Sequence, residues 1–169
     1  LSKTFSKGPS PAVDIEPIGI IHSPFSDLEG MPIQPAGASE TIGTAVIDPA
    51  YAEGLSDLEG FSHIFLIYFF HRTAPMRLRV VPFLDTQERG VFATRSPLRP
   101  NPIGLSLVEL LEIDGCRLTI RGVDVLDGTP LLDIKPYVES FDRVEKSRSG
   151  WVGAARGEVA RKRSDRRFT

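Results

Sequence analysis

Cysteine is almost missing from this chain: Cys116 is the single one in 169 residues. An internal disulfide is thereby excluded, a thiolate zinc site is disfavoured, and a reducing, cytoplasmic compartment is expected. Long hydrophobic runs are missing as well. The longest, Ile64 to Phe70, is far short of the ~20 residues a membrane helix needs, so no membrane partner is expected. The first residues lack the apolar stretch of a secretion signal. There is no Gly-x-Ser-x-Gly elbow, no phosphate-cradling P-loop and no Gly-x-Gly-x-x-Gly fingerprint, which argues against a Rossmann-type nucleotide site. The three histidines, His22, His63 and His71, lie far apart without a carboxylate at ligand spacing, so no metal is expected.

What the chain does have is punctuation. Fourteen prolines and fifteen glycines favour short elements joined by turns over a helical bundle. The length suits one domain, and an apolar fraction of 41% is enough to give it a core. Residues 1–13 are polar and expected to be disordered, 14–142 form the expected domain, and 143–169 are a basic tail. That tail carries nine Lys/Arg against three Asp/Glu, whereas residues 1–142 carry eleven against nineteen. A basic tail on an acidic body points to a polyanion partner or to a merely solvated end.

A β-branched run from Ile15 to His22 reads as a strand, with Pro17 suggesting a sheet edge. Residues 23–40 read as a long loop, and Thr41 to Ile47 as a second strand. Asp48-Pro49 then looks like the capped start of a helix. His63 to Phe70 is apolar on both faces and suits a central strand. Arg77 to Phe83 and Gly90 to Thr94 are further strand candidates. Ile103 to Ile113 has a helical composition, but Gly104 and the Asp114-Gly115 hairpin signal favour a strand turning into Cys116 to Ile120. Asp127-Gly128 gives a second hairpin signal between Val123–Leu126 and Leu131–Ile134. A helical flavour runs around Ala154 to Arg163. The expected fold is mostly β: a small closed or nearly closed barrel with short helices.

Two segments carry chemistry. In the first, a strand leads into Arg95-Ser96-Pro97-Leu98-Arg99-Pro100-Asn101-Pro102-Ile103-Gly104. Its prolines stiffen the loop, its arginines offer planar forks, and Asn101 offers both donor and acceptor atoms. The second runs from Asp124 to Tyr137 and holds three carboxylates, a lysine and a tyrosine around a tight turn. Asp133 and Lys135 share a strand face at period two and can pair.

These two segments, with Phe61-Ser62-His63-Ile64 and Phe69-Phe70-His71, resemble the TrmO family of S-adenosylmethionine-dependent tRNA N6-methyltransferases over roughly residues 15–142. The resemblance implies a non-Rossmann β-barrel enzyme, a homodimer, and methylation of N6 of threonylcarbamoyl-adenosine at position 37 of tRNA. It places cofactor contacts on Gln34, Pro35, Ala36, His71, Arg72, Arg95, Leu105, Asp127, Gly128, Thr129, Pro130 and Leu131. Family members often carry glycine where this chain has Ala36. Catalytic candidates are Asn101, with its side chain or a backbone carbonyl of Asn101-Pro102 as acceptor of the N6 proton, and Arg95, with Asp133, Lys135 and Tyr137 holding the substrate. The competing reading is a non-catalytic module that binds S-adenosylmethionine or RNA and regulates.

Overall fold

In a computed structural model, residues 13–27, 29, 31 and 38–154 are described. Eight strands form: β1 (Gly19–His22), β2 (Ile42–Ile47), β3 (His63–Phe69), β4 (Arg79–Val80), β5 (Arg89–Gly90), β6 (Ile103–Asp114), β7 (Arg117–Arg121) and β8 (Thr129–Pro136). Six of them close into an antiparallel barrel in the order β1-β2-β7-β6-β3-β8, with β8 returning to β1. The other two, β4 and β5, form a two-residue ladder of their own beside it.

Alternation drives the closure. Along β3 and the first half of β6 every second residue is buried, so Ile64, Leu66, Tyr68 and Val108 point inward. They meet Ile21, Ile47, Leu118, Ile120 and Leu131 from the other strands in one core. Burying such a side chain contributes about 1.5–3 kcal/mol each, and closure leaves the barrel no open edge.

Several expectations need correction. Pro17 precedes β1, and β1 is no edge: it pairs with β2 on one side and β8 on the other. Of Arg77 to Phe83 only Arg79–Val80 is strand, and Gly90 to Thr94 gives the end of β5 followed by a 3₁₀ turn at Val91–Ala93. These two short pieces fold around their own cluster of Val80, Val91 and Leu98 instead of joining the barrel. Asp114-Gly115 does turn β6 into β7. Asp127-Gly128, however, joins no hairpin, because residues 123–126 are not strand and β7 and β8 are not neighbours. Asp48 caps the next element as expected, accepting from the Ala50 amide, but that element is a 3₁₀ helix, Pro49–Leu55. It covers one end of the barrel with the buried Leu58 of the next turn. The helical expectation around 154–163 lies outside the described residues beyond Ala154.

Tyr68 on β3 faces Gly104 on β6 across the ladder. A Cβ at position 104 would collide with the Tyr68 ring, so glycine is required here for the ring to lie flat across the neighbouring strand. Gly104→Ala is expected to lower stability by about 1–3 kcal/mol through overpacking. Gly54→Ala, where an added methyl meets nothing within 4 Å, is the control. Urea unfolding of both variants checks this: equal midpoints would show that Tyr68 moves aside freely.

Candidate active site

The barrel end opposite the capping 3₁₀ helix gathers the sequence candidates. Here β3 ends at Phe69, β6 begins at Ile103, β1 ends at His22 and β8 begins at Thr129. Three loops meet at this mouth: residues 23–27, the turn 124–128, and the stiff loop from Arg95 to Pro102.

The stiff loop is fixed by its own hydrogen bonds. The Arg77 amide donates to Leu98 O at 3.0 Å, and the Leu98 amide donates to Ser96 Oγ at 3.2 Å. Arg99 Nη1 donates to Thr94 O at 3.1 Å, so this arginine clamps the loop. Leu98 is buried and anchors the segment in the small cluster. The backbone carbonyls of Asn101 and Pro102 already accept from the amides of Ile103 and Phe70, each at 2.8 Å. The Asn101 side chain is exposed. At this position the group left to meet a substrate is therefore the side-chain amide, not the backbone.

The 23–27 loop and the 124–128 turn are stitched together. Ser23 Oγ donates to Val125 O at 2.6 Å, and the Asp127 amide donates to Phe25 O at 2.8 Å. Asp127 Oδ1 accepts from His22 Nδ1 at 3.0 Å and from the Ser23 amide at 3.2 Å. Those two hydrogen bonds, with His22 leading, hold the Asp127 carboxyl below its ordinary value and keep it ionised. Gly128 follows with φ of 76°, a conformation glycine adopts without penalty, and no atom lies within 4 Å of where a Cβ would project. Arg72 Nη1 reaches Ser26 O at 3.4 Å. His71 beside it is held below its ordinary value, first by desolvation and then by the Arg72 charge, so it is a neutral imidazole at pH 7.

Under the mouth lies a buried polar chain that sequence reasoning did not single out. Ser106 Oγ donates to Asp124 Oδ1 at 2.7 Å, and Tyr68 Oη sits 3.0 Å from Ser106 Oγ. Because the serine proton is committed to the carboxylate, the tyrosine is the donor in the second bond. Desolvation is the leading influence on both ends: it pushes Asp124 up to about 6 and Tyr68 far above its ordinary value. The Arg95 charge weakly opposes both shifts. A serine at an inward position of β6, and an aspartate between Val123 and Val125, were the available signals.

The remaining candidates fall elsewhere. Thr129 is buried and donates its hydroxyl to Leu126 O, closing the turn. The Leu131 side chain lies fully in the core and Pro130 is half-buried, so a ligand reaches Leu131 only through backbone. Leu105 projects outward from β6 and is exposed. Asp133 and Lys135 do pair, at 2.8 Å, on the outer face of β8. Tyr137 packs edge-on to Phe65 and His63 near the far end of β3. Within one chain these three are not brought to the Arg95 loop. Asp133 also borders a cavity of about 420 Å³ beside the capping helix, lined by Tyr51, Leu55 and Phe61. Gln34, Pro35 and Ala36 lie outside the described residues. Among the described residues, no three His, Cys, Asp or Glu side chains could share a metal ion. No described helix is long and apolar enough to cross a membrane.

Residues 20–143 match the family described as the N-terminal domain of tRNA-methyltransferase O. This chain belongs to the TrmO family. It is 53% identical over 152 residues to a probable S-adenosyl-L-methionine-binding protein of Pyrococcus abyssi, covering 90% of this chain and 83% of that one. It is 38% identical to the tRNA (adenine(37)-N6)-methyltransferase of Rattus norvegicus, over 75% of this chain but only 31% of the relative. A crystal structure of TrmO from Pseudomonas aeruginosa superposes with a TM-score of 0.71 at 39% identity, covering 83% of this chain and 63% of that one. The chain thus spans most of the archaeal relative, less than two thirds of the Pseudomonas one, and under a third of the mammalian one.

The electrostatics of Asp124 carry a sign. Its folded value, about 6, stands above the ordinary 3.8. Between those values the folded chain holds a proton that the unfolded chain releases. The carboxyl's contribution to stability is therefore fully present below the lower value and lost as pH rises through the upper one. Asp124→Asn removes this dependence. The stability of the variant relative to the parent, from urea unfolding, is expected to improve by about 1–3 kcal/mol between pH 4.5 and 7.5. A difference that stays constant with pH would place the carboxylate in water.

Proposed function

We propose that this chain is an S-adenosylmethionine-dependent methyltransferase acting on N6 of threonylcarbamoyl-adenosine at position 37 of a tRNA. The observation that carries the reading is the convergence, at one barrel mouth, of Asn101, Arg95, His71, Arg72 and the Asp127-Gly128 turn, in a chain of this family.

The residues present fit such a cofactor. Arg95 offers a fork for its carboxylate. The ionised Asp127 and the uncharged His71 suit a neighbouring sulfonium cation. The bare Gly128 turn lets a ligand approach the backbone closely. The cofactor, when bound, supplies an electrophilic methyl group; the protein supplies placement. Holding donor and acceptor in line is worth about 7–11 kcal/mol of such a barrier. Asn101 Oδ1 accepts a hydrogen bond from the N6–H of the base and so aims the nitrogen lone pair, while the proton departs to solvent at this exposed position. The loop that carries Asn101 is already rigid, so little ordering is needed on binding.

Two further features support the wider reading. Trp151 Nε1 donates to Ala93 O at 2.8 Å, and its ring lies under the Arg89 guanidinium, 5.8 Å from the ring centroid. Trp151 is thereby docked beside Ala93, just ahead of the stiff loop, where phosphates of a bound RNA would lie. The outer faces of β3 and β6 present Phe65, Ile67, Phe69, Ile103, Leu105 and Leu107 side by side in register, several of them exposed. A contiguous apolar face of this kind suits a second copy of the chain. In that homodimer, residues 14–142 form the catalytic unit, and the pair Asp133–Lys135 with Tyr137 borders the interface on the adjacent strand, β8.

The names of the archaeal relatives favour a second reading, a module that binds S-adenosylmethionine without transferring its methyl group. Labelled methyl transfer to tRNA bearing threonylcarbamoyl-adenosine separates the two. Incorporation is expected, and Asn101→Ala is expected to reduce it at least 100-fold while changing cofactor affinity less than about threefold. Binding without incorporation would establish the module. Sedimentation equilibrium is expected to show a dimer that Leu105→Glu converts to monomer; a monomeric parent chain would end the dimer reading.

A further inference from the structure

The positive charge of the acidic body is gathered in one place. Of the eleven basic residues within 1–142, six are Arg72, Arg77, Arg79, Arg89, Arg95 and Arg99, and only two of the nineteen acidic residues share their segment. The rest of the body holds five basic residues against seventeen acidic ones. The segment lies in the excursion between β3 and β6, which leaves the barrel, makes the β4–β5 ladder and folds on Val80, Val91 and Leu98. It is a basic lobe on an acidic barrel. Its two carboxylates are already engaged, Glu88 with Arg79 at 3.1 Å and Asp85 with Arg89 at 2.7 Å. Arg77 is exposed, and its side chain has no hydrogen bond or ion pair among the described residues.

The same lobe leaves apolar surface in water. Met76, Leu78 and Phe92 are 53%, 61% and 73% exposed. The Val91 amide donates to Leu78 O at 2.9 Å, so Leu78 and Phe92 are carried on adjoining backbone. The turn that presents Phe92 has little freedom. Thr94 donates to Val91 O through its amide, at 3.1 Å, and through its hydroxyl, at 2.8 Å. Trp151 Nε1 holds Ala93 O from the other side. The backbone around Phe92 is fixed while its ring stands in solvent, three residues before Arg95.

We propose that this lobe is the RNA-docking surface: Phe92 stacks an unpaired nucleobase beside the target adenosine, and Arg77 takes a phosphate of the same strand. This deepens the methyltransferase reading above and rests on it for the position of the target base alone. Surplus arginine charge by itself fits any polyanion. An exposed ring fixed among arginines fits a single strand, which offers phosphates and flat apolar faces in alternation. A duplex keeps its bases stacked inside and has no face for Phe92, so the partner is a loop. A base drawn into the barrel mouth leaves its neighbour unstacked. A ring already held beside the mouth replaces that lost stack with little ordering on binding.

The test reads RNA affinity without cofactor. The probe is a fluorescein-labelled anticodon stem-loop RNA with adenosine at position 37, followed by anisotropy over a range of salt. Phe92→Ala is expected to weaken binding about tenfold, with Phe92→Trp close to the parent and Phe92→Leu as weak as alanine. On the stem-loop made abasic at the stacked neighbour of position 37, found by testing each side in turn, Phe92→Ala causes no further loss. Arg77→Gln is expected to flatten the salt slope by about 0.7, the share of one phosphate on a single strand, whereas Phe92→Ala leaves the slope unchanged. Arg117→Gln, on β7 at the far end of the barrel, changes neither quantity.

Parent-like binding by Phe92→Leu would mean apolar packing without stacking and overturns the role of Phe92. So does a loss that is equal on the intact RNA and on both abasic RNAs. A salt slope unmoved by Arg77→Gln overturns the phosphate contact. If sedimentation shows that Phe92→Ala dissociates a dimeric parent, the ring belongs to a contact between copies and the proposal falls. No binding of the stem-loop at low salt overturns it outright. Absence of methyl incorporation, measured separately, would end the methyltransferase reading and leave the docking result standing.

Discussion

The pairing of β8 with β1 is the contact on which the rest of this molecule depends. It joins Gly19 to Leu131 and Ile21 to Thr129, residues more than one hundred positions apart. It closes the barrel, and it also sets the 124–128 turn against the 23–27 loop. The His22–Asp127 hydrogen bond, the Ser23–Val125 hydrogen bond and the Gly128 amide bond to Ile21 O all follow from that seam. Each is small by itself; a hydrogen bond contributes about 1 kcal/mol net. Their common dependence on one ladder is what makes the mouth a single object.

Much of this was legible in the residues and some of it could not have been. The apolar run of β3, the Asp48 cap and the Asp114-Gly115 hairpin are local signals, and local signals translate directly into structure. The Asp127-Gly128 signal misled because a tight turn says nothing about which strands flank it. Here the turn follows an irregular stretch, and β8 crosses to partners far away in sequence. Arg77 to Phe83 reads as a strand by composition, yet Pro82 ends it early and only Arg79–Val80 pairs. The prolines of the Arg95 loop did announce rigidity. What they could not announce is that Arg99 is used up clamping that loop while Arg95 stays exposed. That difference depends on which carbonyls and carboxylates the fold brings near.

The same limit explains the missed residues. Tyr68 looks like one more apolar member of a central strand, and Ser106 like one small interruption in β6. Only the register Tyr68–Gly104 and the inward phase of Ser106 set their hydroxyls side by side. Neither hydroxyl could be buried alone without a cost of a few kcal/mol. Each is satisfied by the next, and the chain ends on a carboxylate. No buried side-chain nitrogen or oxygen lacks a partner among the described residues. A polar chain of this kind fixes the core to one arrangement, because any slip of register would leave three groups unsatisfied together.

Two aspartates three residues apart show how the fold assigns opposite behaviours to one side chain. Asp127 meets water, an imidazole and two backbone amides, and its proton is lost more easily than usual. Asp124 meets a hydroxyl and the barrel interior, and its proton is held more tightly. The turn between them crosses the boundary of the core, so a displacement of a few ångströms converts a stabilising charge into a costly one. A chain that kept Asp124 only for stability would gain by replacing it, since burying the charge disfavours folding near neutral pH. The cost is borne at the barrel mouth, under the one loop that carries Arg95 and Asn101. A buried carboxylate that weakens the fold at the mouth where the candidate residues gather is better understood as part of that site than as part of the core.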